Sequence, residues 1–300
     1  MKHKHTYRLG AMLLARRSVM LGAALGLVGC AGDPTILVPE GTAPRVREPD
    51  EPVQAPLMAR AASLAAGVLE QVRSAQSGSW RDAATAQCEA QLARFNSMSP
   101  YAEPDPIFSP PAASATDLGG AVSTATAGLV VCADEADTVA DRLLFLSAAA
   151  ATAGLADTSS VPAEGGSPAF VETLDGQRQV ALRHAWALVH GLEVGLGRLA
   201  AEEPLRAELG ARLATAKALR NEIRDGFDGV APSQPAAFAL PTAMSDVASI
   251  REGWGALEVR LLEGLVLLAA DEPGGEPLWP EQVAQAQAAG GRIPRWPGWD

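Results

Sequence analysis

The chain contains four histidines, and two of them, His184 and His190, lie beyond its basic N-terminal stretch. His190 stands three residues before Glu193, so on a helix the two side chains are neighbours on one surface. That pairing invites a metal reading. A di-iron carboxylate bundle takes one Glu from each of two helices and a Glu-x-x-His from each of the other two. No Glu-x-x-His occurs in the chain, and His190-Gly-Leu-Glu193 carries the pair once, in reversed order.

Helical arithmetic at about 100° per residue places Glu193 about 20° from Leu182, in the apolar stripe, and His190 about 80° from it, at the edge. The same arithmetic sets Glu258 about 100° from Leu257, in the sector of Trp254, Leu261 and Leu265, and Arg220 about 60° from Leu205. His190, Glu193, Arg220 and Glu258 are therefore expected as an inward polar cluster. Two arrangements are compatible with it. In one, Arg220 pairs with Glu193 or Glu258, so that each buried charge is compensated. In the other, His190, Glu193 and Glu258 ligate a metal. A guanidinium where a cation would sit opposes the second, and three ligands fall short of an octahedral set. No metal and no cofactor are therefore expected. His184, at about 200°, faces away from the stripe, as a surface or second-interface histidine does.

Other chemistry has no foothold. The chain lacks a Gly-x-Ser-x-Gly elbow, a phosphate-binding Gly-rich loop, a His-Glu-x-x-His and a dinucleotide fingerprint. The acidic pairs Asp137/Asp141 and Glu202/Glu203 read as solvated faces or helix-start charges. No catalytic residue is assigned.

The three cysteines divide by position. Residues 1–29 hold Lys2, Lys4, Arg8, Arg16 and Arg17, no acidic residue, and an apolar run from Val19 to Val28 that is shorter than the roughly 20 residues a bilayer span needs. The run ends in Leu27-Val28-Gly29-Cys30, which resembles a bacterial lipobox. That resemblance implies lipid on Cys30 and a mature chain beginning there. Arg16-Arg17-Ser18-Val19-Met20-Leu21 is similar to a twin-arginine export signal. Cys88 and Cys132 remain, and for an exported protein they are expected as a disulfide. Such a bridge would contribute roughly 3 to 4 kcal/mol in the chain-entropy model. The alternative is two buried free thiols.

The elements that position these residues read as helices. Apolar residues recur at steps of three and four over Leu57–Ala75, Trp80–Asn96, about Cys132–Ala153, Phe170–Ala201, Pro204–Phe227 and from a cap at Ser245 or Asp246 to Leu268. A short helix is expected at Pro280–Ala289. The Pro- and Ser-rich stretch 97–128, with Gly119-Gly120, is expected to be loop. No stretch alternates as a strand, so the fold class is all-α. The expected divisions are a signal (1–29), a Pro-rich tether (30–56), an N-terminal helical region (57–156), a helical bundle (168–271) and a tail (272–300). The helix at 132–153 is expected to complete the bundle.

Composition agrees with close-packed helices: 59 alanines against 14 aromatics. Without residues 1–29 the basic residues fall from 24 to 19 against 35 acidic, and the formal charge from −11 to −16. So acidic a body excludes nucleic acid as a partner, because counterion release needs clustered Lys and Arg.

Residues 170–270 resemble a ferritin-like domain family of exported proteins from GC-rich Gram-positive bacteria, a family without an assigned activity. The resemblance runs through Ala181-Leu-Arg-His184-Ala-Trp-Ala-Leu-Val-His-Gly191, Lys217-Ala-Leu-Arg220-Asn-Glu-Ile, Phe238-Ala-Leu-Pro241 with Asp246, and Leu257-Glu258; Arg183 stands where the family has Glu. It implies a ferritin-like up-down four-helix bundle, here with additional N-terminal helices. The resulting expectation is a lipid-anchored helical protein on the extracytoplasmic face of the cell membrane, non-enzymatic, with an interaction or structural role and an envelope protein as partner. A ferritin-like metal-binding protein or oxidoreductase is one alternative. Binding of a small apolar ligand between the two helical regions is another.

Overall fold

A computed structural model describes residues 52–299, which belong to one compact unit. Cys30 and the arginine pair Arg16-Arg17 lie outside the described residues. The described residues form eight α-helices and no strand: α1 (Pro56–Ser74), α2 (Ser79–Phe95), α3 (Leu118–Asp134), α4 (Val139–Ala153), α5 (Gln177–Arg198), α6 (Pro204–Asp225), α7 (Val247–Asp271) and α8 (Trp279–Ala288). A single 3-10 turn, Gly154–Ala156, extends α4.

Local chemistry sets the helix starts. Pro56 and Pro204 occupy first-turn positions of α1 and α6, where no intrahelical donor is lost. At α7 a capping box forms: the Ser249 backbone N–H donates to Asp246 Oδ1 at 2.9 Å, and the Asp246 backbone N–H donates to Ser249 Oγ at 3.1 Å.

One expected loop is partly a helix. Within 97–128, α3 starts at Leu118, because Asp117 Oδ1 accepts from the Gly120 backbone N–H at 2.7 Å and satisfies one of the orphan donors of the first turn. Gly119-Gly120 thus sit inside a capped first turn and do not break it. Ala121, Val122, Ala125 and Leu129 form the buried face of α3, one made mostly of small residues. Asp134 ends α3 and does not start a helix, and the next helix begins after Thr138, whose hydroxyl accepts from the Asp141 backbone N–H at 3.0 Å. The helix expected over 132–153 is therefore two helices joined by a short turn. Phe170, expected inside the fourth helix, precedes α5 and is exposed, its ring centroid 5.8 Å from that of Tyr101.

The helices pack as a succession of neighbours: α2 on α1, α1 on α3, α3 on α4, α4 on α7, α7 on α5 and α5 on α6, with α8 against α7. One apolar cluster runs from Met58, Ala61 and Ala62 of α1 through Leu143–Phe145 and Ala148–Ala150 of α4 to Leu257, Leu261 and Leu265 of α7. Val139–Ala156 is the one described helix long and apolar enough to cross a membrane, yet 72% of it is buried inside the fold. The segment after α8 is equally internal. Ile293, Trp296 and Trp299 are buried, Trp296 meets Phe95 edge-on at 6.2 Å, and the Ala163 backbone N–H donates to Ile293 O at 2.8 Å.

Alanine and glycine allow the close approach. A Cβ on Gly255 of α7 would stand 2.8 Å from the Gly291 backbone nitrogen, so only glycine lets the chain after α8 lie on α7. On α5, a Cβ on Gly191 would overlap Leu257 of α7.

The cysteines are not bridged. Cys88 lies with Val68, Leu69 and Val72 near the end of α1, whereas Cys132 Sγ contacts Leu57 O at 3.9 Å at its start. Those levels of α1 differ by at least about 16 Å at 1.5 Å per residue, far beyond the roughly 4.4–6.8 Å Cα separation of a disulfide. Both thiols are free and buried. Burial pushes the Cys88 thiol up to about 12, with Glu89 adding to the effect, and raises the Cys132 thiol as well.

Candidate functional site

Glu258, in the middle of α7, is fully buried and is the centre of the strongest polar cluster. Arg212 of α6 approaches it with two parallel donors, Nε to Oε1 at 2.7 Å and Nη2 to Oε2 at 2.8 Å. Trp254, one turn earlier on α7, donates Nε1–H to Oε1 at 2.6 Å. Gln282 of α8 donates Nε2–H to Oε2 at 2.7 Å and to the Glu258 backbone carbonyl at 2.9 Å, while its Oε1 accepts from Arg212 Nη2 at 2.9 Å. Thr215 Oγ1 accepts from Arg212 Nη1 at 3.0 Å.

Each carboxylate oxygen thus accepts two hydrogen bonds, which uses its acceptor sites. The group has no lone pair left for a substrate proton or a metal ion, and a bidentate guanidinium already holds the adjacent space. What the arrangement does is join α6, α7 and α8 through a compensated buried charge.

The four residues expected as one cluster are separated. Glu258 is inward, but its partner is Arg212 and not Arg220. Arg220 is half-buried and donates to Asn221 Oδ1 at 2.8 Å. Glu193 is exposed and pairs with Lys217 Nζ at 2.8 Å. His190 is half-buried, its ring 5.5 Å from that of Phe238. Among the described residues, no group of three His, Cys, Asp or Glu side chains is placed to hold a metal ion. The residues present therefore do not fit the metal centre that a ferritin-like architecture implies.

Arg212 carried a readable signal. It lies seven residues after Leu205, about 20° from it on the helix and nearer the stripe centre than Arg220. Glu193 stands between Leu182 and Trp186 in the helical projection, and both of these are buried while Glu193 is exposed. The buried face of α5 extends from them through Val189 and Leu192 to Ala181, Ala185, Leu188, Gly191 and Gly195, so its centre lies on the side away from Glu193, which is left at the rim. His184 packs against α7, its Cδ2 3.0 Å from where a Gly264 Cβ would stand, and is a second-interface histidine. Burial lowers its pKa, and Arg260 and Arg183 lower it further.

Comparison with known proteins gives no relative: no family model, curated protein or solved structure matches the chain.

Proposed function

We propose that this protein is a lipid-anchored helical bundle on the extracytoplasmic face of the cell membrane, acting by binding an envelope partner and not by catalysis. The single observation that carries the non-enzymatic part is the saturation of Glu258, since the most deeply buried carboxylate of the core is fully committed to Arg212, Trp254 and Gln282. The anchor rests on the order of basic residues, apolar run and Leu27-Val28-Gly29-Cys30. An acidic body is repelled by anionic headgroups, so attachment runs through the lipid alone. A ferritin-like architecture for α4 to α7 rests on the motif resemblance and the succession of neighbouring helices; it is offered as shape without the metal chemistry.

Two measurements test the reading. Cells fed labelled palmitate are expected to label the wild-type chain in the membrane fraction, and Cys30→Ala is expected to be unlabelled and soluble. Label retained by Cys30→Ala overturns the anchor. Protein purified without a tag is expected to carry no stoichiometric metal. Stoichiometric iron or manganese that disappears in Glu193→Ala, an exposed and fold-neutral change, overturns the non-metal reading.

A further inference from the structure

The connection from α6 to α7 has no regular secondary structure, yet its last part, 238–244, lies on α5 and α7 in a fixed register. Phe238 stacks on His190 at 5.5 Å, and Leu240 reaches the surface of α5 at Gly191. Thr242 Oγ1–H donates to the Ser249 carbonyl of α7 at 2.7 Å. Met244 is fully buried, its Cε beside Gly195 of α5 and its Cγ and Sδ beside Gly253 of α7. Ala239 and Ala243, between them, are exposed. Alternate side chains thus enter the groove while the alanines face solvent, the period-two pattern by which an extended peptide is read.

This strap is held by few ties, and its backbone is strained. Met244 has a φ of 50°, the one positive value at a non-glycine among the described residues, in a region that L side chains rarely adopt. Strain of this kind concentrates at clamps and switches, where a segment has two arrangements. Among the described residues, no backbone–backbone hydrogen bond joins 238–244 to a helix. The carbonyls of Ala243 and Met244 accept instead from Nη1 of Arg198, an exposed residue, the second at 2.9 Å. A Cβ on Gly253 would stand 2.7 Å from Thr242 Oγ1 and 3.1 Å from Met244 Cγ, and its nearest neighbours all belong to the strap. That glycine admits the strap and opens no other contact.

We propose that 238–244 is a displaceable strap, and that the groove it covers on α5 and α7 docks an extended segment of the envelope partner. That segment carries apolar side chains at alternate positions: an aromatic one for His190 and an unbranched one for the notch between Gly195 and Gly253. The chemistry is read from the strap, which already occupies the site in cis. The inference rests on the partner-binding reading above. It is tested on unlipidated chain, and its failure moves the partner to another surface while leaving the anchor untouched.

The test is fluorescence anisotropy of a labelled synthetic peptide of residues 236–246 titrated with the full chain carrying Cys30→Ser. Saturable binding is expected, at least about tenfold tighter to Arg198→Gln than to the parent, because an occupant in cis lowers apparent affinity by the fraction of open groove. A peptide of the same composition with Phe and Leu each moved by one position is expected to bind at least about tenfold more weakly, since the shift turns both to the other face. Gly253→Val, which fills the notch, is expected to abolish binding; should that variant misfold, the shifted peptide decides. A second readout follows the strap itself. Met244 is expected to resist peroxide oxidation relative to Met98, which is 60% exposed, and saturating peptide is expected to raise its oxidation severalfold. No binding to Arg198→Gln, equal binding of the shifted peptide, undiminished binding to folded Gly253→Val, or Met244 oxidation unmoved by peptide overturns the proposal.

Discussion

Glu258 and Glu193 are both expected on inward faces of their helices and have opposite fates. The first is buried under four side-chain donors from three residues; the second is half-exposed and faces one lysine. Removing one partner from a buried pair leaves an uncompensated charge, so Arg212→Met is expected to cost about 3–5 kcal/mol in urea unfolding. Arg212→Met/Glu258→Leu is expected to recover much of that loss, because the orphan disappears with its partner. Glu193→Ala is expected to cost under about 1 kcal/mol, as exposed pairs do. Equal losses at Glu193 and Arg212 would contradict this assignment. His184 supplies a pH dependence. Its folded pKa lies below the unfolded value of 6.5, so the unfolded chain binds more protons in that window and stability falls as pH drops below 6.5. Unfolding midpoints of wild type and His184→Gln are expected to converge at neutral pH and to diverge on acidification, wild type losing more. The thiols give a third check: after unfolding, both Cys88 and Cys132 should alkylate fully, with no linked peptide on a non-reducing digest.

At the scale of elements, helix type and the large-residue side of each buried face are legible in the sequence, and the small-residue side is not. Leu57–Ala75 and the stretch after Asp246 were readable from spacing and caps because their apolar residues are large and periodic. The start of α3 was obscured because glycines and alanines, which signal a break or nothing in a sequence, are here the contact residues themselves. The face of α5 extends beyond Leu182, Trp186 and Val189 onto Ala181, Ala185, Gly191 and Gly195 for the same reason. Two glycines in helices make the distinction measurable. A Cβ on Gly210 of α6 meets nothing within 4 Å, so Gly210→Ala is expected to stabilise by about 0.5–1 kcal/mol. Gly255→Ala on α7 drives a methyl into the backbone at Gly291 and is expected to destabilise by about 1–3 kcal/mol. Thermal melts showing the same sign for both would refute the close backbone approach.

For the molecule as a whole, the segment after α8 was read as a tail from its prolines and glycines, and burial assigns it to the core. Its signal was the pair Trp296 and Trp299, large apolar residues that a solvated end has no use for. They pack over Phe95 of α2 and Tyr101, some two hundred residues earlier in the sequence. That separation bears on biogenesis. Residues 290–299 leave the ribosome after every helix they close over, so the nascent chain carries an incomplete core until they emerge. Until then Phe95 and Tyr101 lack the indole rings that pack on them, so the native core is committed late in synthesis and not as each helix forms.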